Sequence, residues 1–206
     1  MDTKTLNKIR FFAIKEYGQS KDKQHSFGHA ERVAKNALWI TDILKVGDGF
    51  DKNLLQAACY LHDIVITKRN SRNYFSQFYS HIFEKLLNKK YIRQTLEYFD
   101  LPPEEEQILA VSIVNHPYSI PYRVLNKQRD LYSKVLQDAD SLDSVSLRRE
   151  HSFINRKGKI LTYLTSIYLF WIRNNIEKYL NFPELTNKLN NGLISPEGRE
   201  NRARKK

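Results

Sequence analysis

Residues 52–66, KNLLQAACYLHDIVI, are apolar on nearly every side until His62 and Asp63 interrupt them. A helix without a polar face has to be enclosed by other elements, so this segment predicts a buried central helix with the rest of the chain arranged around it. Its end needs explaining. A histidine and an aspartate buried there would each cost about 1–3 kcal/mol unless something satisfies them. Seven Gly and six Pro among 206 residues are too few for the turns of a sandwich of short strands. The hydrophobic fraction of 41% is modest, but 12% of the residues are aromatic and bury large areas per side chain. An all-α fold with a substantial core is the expectation.

Helical spacing recurs along the sequence. Leu6, Ile9, Phe12 or Ala13 and Ile14 predict a first helix ending near Gly18. After a polar loop over 19–24, Ser26 is placed to cap a second helix with His29, Val33, Ala37, Ile40 and Leu44 near one face, closed by Gly47 and Gly49. Two further helices are expected at about 75–88 and 91–99. Pro103 followed by Glu104, Glu105 and Glu106 opens another, with carboxylates at the positive end of the helix dipole, and Pro117 stops it at His116. Residues 130–145 carry Leu131, Val135, Leu136, Leu142 and Val145 at helical spacing, with Asp138, Asp140 and Asp143 among them. The longest periodic stretch, 160–180, contains Ile160, Leu164, Ile167, Trp171, Ile172, Ile176 and Tyr179, and predicts a helix packed across the core. The expected organisation is a packing helix over 1–19, a main domain over 20–150, a helical extension over 151–194 and a basic, disordered tail over 195–206.

Polar interruptions of apolar contexts mark the candidate chemistry. Besides His62-Asp63 these are His29, His116 after VSIVN, and Asp140 inside KVLQDADSLDSV. Imidazoles with carboxylates suit a hard to borderline divalent cation with positions left open for water. A closed structural zinc site would want cysteines, and the chain has only Cys59, in an apolar run where a buried thiol is expected. One cysteine forms no intramolecular disulfide, which fits a reducing cytoplasm. The N-terminal stretch is interrupted by Lys8, Arg10, Lys15 and Glu16 and does not resemble a signal peptide, and no apolar run reaches membrane-spanning length.

His29, then His62-Asp63, then Asp140, in that order, resemble the ligand set of the HD superfamily. HSFGHAERVAKNA is similar to its first ligand helix, AACYLHDI to its signature helix end and KVLQDADSLDSV to its last ligand segment, so the resemblance covers about residues 21–149 in three ordered pieces. It implies a helical bundle and a divalent metal (Mn, Fe, Mg, Ni and Zn are not distinguished) held by His29, His62, Asp63 and Asp140. It also implies hydrolysis of phosphate esters or phosphoanhydrides by attack of metal-bound water, which Asp63 would also orient. Some members hold a second metal through histidines between the signature and the last aspartate. His81 and His116 occupy such places, and second-metal ligand, partner to a ligand and phosphate contact are the roles open to them. The paired histidines of one two-metal branch are replaced by Asn115-His116, and the glycine-rich motif of cyclic-dinucleotide phosphodiesterases is absent.

Lys68, Arg69 and Arg72 follow the signature, where they either contact a bound phosphate or line a solvated loop. The resemblance makes one of Arg148 and Arg149 a phosphate contact, and Arg149 is taken as the candidate. Asp143 either backs a ligand or lies on the helix surface. His25 reads as a loop histidine and His151 as a surface one.

A formal charge of +11 favours phosphorylated or otherwise anionic partners without choosing among them. The DADSLD segment resembles HD hydrolases acting on nucleotides, so a nucleotide is the expected substrate, with sugar phosphates as the other option. The rival is a non-catalytic, metal-stabilised module that binds RNA or a protein through its basic surface. Arg199, Arg202, Arg204, Lys205 and Lys206 in the tail are the candidate contacts to nucleic acid.

Overall fold

The computed structural model describes residues 1–20, 25–69, 80, 83–117, 130–144, 146, 163, 167, 170–171 and 174–190. The fold is all-α, with no strand among the described residues. α1 spans Thr3–Gln19, capped by the Asp2 carboxylate accepting from Thr5 N, and buries Leu6, Ile9, Ala13 and Tyr17. α2 spans Phe27–Leu44, starting after Ser26, whose side chain makes no capping bond. It ends before the expected glycines. Lys45 itself adopts the left-handed conformation, φ 49°, and returns its N–H to Thr41 O. A non-glycine residue accepts that strain, on the order of 1 kcal/mol, because the turn satisfies a helix-end carbonyl.

α3, Lys52–Leu61, is the predicted central helix: Asp51 caps it, and Leu54, Leu55 and every residue from Ala57 to Leu61 are buried. It stops at His62 and Asp63, and the chain resumes as α4, Ile64–Arg69. α5 runs unbroken over Glu84–Leu96 into a 3-10 turn, Glu97–Phe99. The division expected between 88 and 91 does not occur. Asn88 is fully buried and donates from Nδ2 to Ile113 O, and Ile92 and Leu96 continue the same inward face. α6 spans Pro103–Asn115 and stops at His116 as Pro117 requires. α7 is Leu131–Ser144, its first turn held by Asp130 accepting from Ser133 N. A 3-10 turn, Ile176–Tyr179, leads to α8, Pro183–Asn190.

α1, α2, α6 and α7 enclose α3; α2 runs along α7, α5 pairs with α6, and α8 packs on α2. One core results, and it includes Leu6 and Ile9 from α1 and Leu185 from α8. The described part of 160–180 does not cross it. Ile167 and Trp171 are each 48% exposed, because α3 already fills the centre and other helices cover its sides. His81, Arg72, Arg148, Arg149, His151 and the tail lie outside the described residues, as does the Arg69 side chain.

Candidate metal centre

Four elements converge where α3 ends. His29 stands in the first turn of α2, His62 and Asp63 at the break between α3 and α4, and Asp140 on α7. His29 Nε2 lies 3.1 Å from His62 Nε2, 3.3 Å from Asp63 Oδ2 and 3.2 Å from Asp140 Oδ1. His62 Nε2 is 3.1 Å from Asp63 Oδ2 and 3.9 Å from Asp140 Oδ1. Ligands about 2.0–2.2 Å from one ion stand about 3.0–3.5 Å apart at octahedral or tetrahedral angles and farther apart at wider ones, so four of these separations suit neighbouring ligands of one divalent cation and the 3.9 Å one a wider angle. The ring hydrogens support the same reading. His62 Nδ1 donates to Cys59 O at 2.7 Å, and His29 Nδ1 lies 2.6 Å from Asp143 Oδ2. With both Nδ1 atoms engaged, the two Nε2 atoms face each other and two carboxylates, an arrangement that a cation satisfies.

Asp143 lies behind His29. It is buried, and its carboxylate also takes Arg32 Nε at 2.6 Å and Nη2 at 3.0 Å. Burial pushes its pKa up, but the His29 and Arg32 contacts outweigh that and leave it below the usual carboxylate range. Burial likewise works against the charges of Asp63 and Asp140, and the neighbouring imidazoles hold both carboxyls well below their ordinary values. Asp140, 31% exposed, is the member of the cluster that opens to solvent. His25 precedes α2 as expected of a loop residue but is buried, its ring 6.4 Å from that of His29.

His116 joins the same cluster, its ring 5.1 Å from that of His62. Its Nδ1 donates to Ile113 O at 2.7 Å, and its Nε2 faces Glu84 Oε1 at 3.1 Å. Burial disfavours the imidazolium, yet the Glu84 carboxylate, with Asp63 and Asp140 beyond it, raises the His116 pKa from 6.5 to about 9. Glu84 is a residue that the sequence reading missed. It is buried in the first turn of α5, with its Oε1 turned to His116 Nε2 at 3.1 Å. Ligand atoms of Asp63, Glu84 and His116 all lie within 4.8 Å of one another, a second set able to hold a cation that shares Asp63 with the first. Those of His62, His116 and Asp140 do so too, so the sets overlap through His116.

Lys68 points elsewhere. Its Nζ is 3.1 Å from Glu16 and 4.9 Å from the Phe12 ring centroid, both on α1. An apolar cavity of about 660 Å³, lined in part by Phe50, Ile108, Val111 and Leu131, includes none of these polar residues.

Residues 26–145 match the family described as HD domain, more than half of the chain. The chain belongs to the HD domain family. Its HD domain runs from the cap of α2 through α7 and holds every residue of the cluster. The structure of Bacillus subtilis YpgQ in complex with ADP resembles it with a TM-score of 0.49 at 16% sequence identity, over 86% of this chain and 96% of that one. No curated protein matches the chain. Among the described residues, no helix is long and apolar enough to cross a membrane.

Proposed function

We propose that this HD domain protein is a metal-dependent hydrolase of nucleotide phosphate esters or phosphoanhydrides. One observation carries the reading: two imidazoles with committed Nδ1 atoms and two carboxylates converge within 3.1–3.9 Å at the end of a helix buried along most of its length. A divalent cation on His29, His62, Asp63 and Asp140 would acidify a water and neutralise developing charge on phosphorus. The chain's own residues supply the rest. Asp63, shared between the two ligand sets, orients the attacking water. Glu84 and His116 extend the site on the Asp63 side with a second cation position, and Asp140 marks the side open to substrate. Arg69, Arg72 and Arg149 are the proposed phosphate contacts, whereas Lys68 is engaged by Glu16. The similarity of DADSLD to HD hydrolases acting on nucleotides supports a nucleotide over a sugar phosphate.

The test is metal-depleted protein reloaded separately with Mn, Fe, Mg, Ni or Zn and assayed on nucleoside mono-, di- and triphosphates and on sugar phosphates. Phosphate or pyrophosphate release from nucleotides is expected, together with loss of both metal and turnover in the joint His62→Ala, Asp63→Ala variant. Stoichiometric metal with no turnover on the whole panel would overturn the enzyme reading and leave the metal-stabilised binding module. Stoichiometric metal in the double variant would overturn the ligand assignment.

A further inference from the structure

We infer that Arg32 and Asp143 form a positioning clamp that sets the His29 ligand across the interface of α2 and α7. The inference rests on the four-ligand metal reading above. Each of these helices carries a ligand and, one turn further on, a clamp residue: His29 with Arg32, Asp140 with Asp143. The two layers repeat the same contact between helices. In the upper, His29 Nε2 faces Asp140 Oδ1 at 3.2 Å; in the lower, the Arg32 fork closes on Asp143 at 2.6 and 3.0 Å.

The geometry makes the carboxylate a fixed hinge point. Asp143 is 1% exposed, a depth at which a carboxylate remains charged only with close partners. A two-pronged guanidinium contact also fixes the carboxylate plane, which a single ammonium would not do. With the plane fixed, Oδ2 is aimed at His29 Nδ1 at 2.6 Å, and the ring on the other side of that bond must present Nε2 to His62, Asp63 and Asp140. The two imidazole ligands differ here. His62 takes its orientation from Cys59 O, three residues away on its own helix, whereas His29 takes it from a residue 114 positions distant. The affinity of the centre for a cation therefore depends on how α2 and α7 pack, through one carboxylate.

Co2+ titration of the metal-depleted full-length chain, followed by visible absorption, reads both affinity and ligand geometry. Asp143→Asn is expected to weaken Co2+ binding by about 10- to 100-fold, with shifted bands and unchanged stoichiometry at saturation. Arg32→Lys keeps the charge but loses the fork, and is expected to weaken binding less, in the same direction. Ile92→Ala, a core change on α5, which packs chiefly on α4 and α6, serves as a destabilised control whose folded form keeps wild-type affinity and bands. Should Asp143→Asn fail to fold, Arg32→Lys alone decides. Wild-type affinity and spectrum in the folded clamp variants would overturn the clamp, as would an equal loss of affinity in Ile92→Ala. A wild-type chain that takes up no Co2+ would overturn the metal reading itself.

Discussion

Three imidazoles at the centre have their Nδ1 hydrogens committed, to Asp143 from His29, to Cys59 O from His62 and to Ile113 O from His116, and all three Nε2 atoms face carboxylates. Glu84 completes the arrangement on the His116 side, where its Oε1 is buried beside His116 Nε2. Glu84→Gln keeps the shape of the side chain and removes its charge. Elemental analysis at saturating Mn2+ is expected to fall from two ions per chain to one, with the remaining ion still lost on His62→Ala. Two ions in Glu84→Gln would remove Glu84 from the ligand set, and one ion in the wild type would remove the second position. His62 and Asp63 were readable from the sequence because they interrupt an apolar helix, where a polar group needs a partner. Glu84 was not. It opens EKLLNKK, where an acid in the first turn among lysines reads as a solvated helix start, and its burial comes from the packing of α5 on α6.

At the level of elements, periodicity located α1, α2, α6 and α7 to within a few residues, since each buries one face. It failed where tertiary contacts decide. Asn88 interrupts the apolar pattern of α5 yet is held inside by Ile113 O, so no break follows, and the apolar residues at 167 and 171 find the core already filled. The chain beyond residue 174 returns to that core by a different route. Asn181 donates from its backbone N and Nδ2 to Asp138, a fully buried carboxylate two residues before Asp140, and Leu185 of α8 is completely buried against α2. Leu185→Ala is expected to destabilise the fold by about 2–5 kcal/mol, read from the denaturant midpoint at unchanged slope. A cost below about 1 kcal/mol would mean that α8 is an appendage rather than part of the core.

For the whole molecule, the net charge of +11 was plain in the sequence and suits anionic ligands, but the shape of the centre depends on three helices brought together from distant parts of the chain. His29 and His62 are 33 positions apart, and His29 and Asp143 are 114 apart. That spacing has a kinetic consequence. On the proposed metal reading, a nascent or unfolded chain presents only fragments of the ligand set, so an ion would find its full site only after α2, α3 and α7 have met. An ion that binds late on the folding route slows escape from the native state without hastening arrival. At about 100 times the dissociation constant the stabilisation is about 2.7 kcal/mol. In stopped-flow experiments, added Mn2+ is expected to slow unfolding by about 100-fold. The refolding rate should stay the same with and without chelator. Faster refolding with metal would instead mean that the ligand helices meet in the transition state, with the ion recruited early as a nucleus for folding.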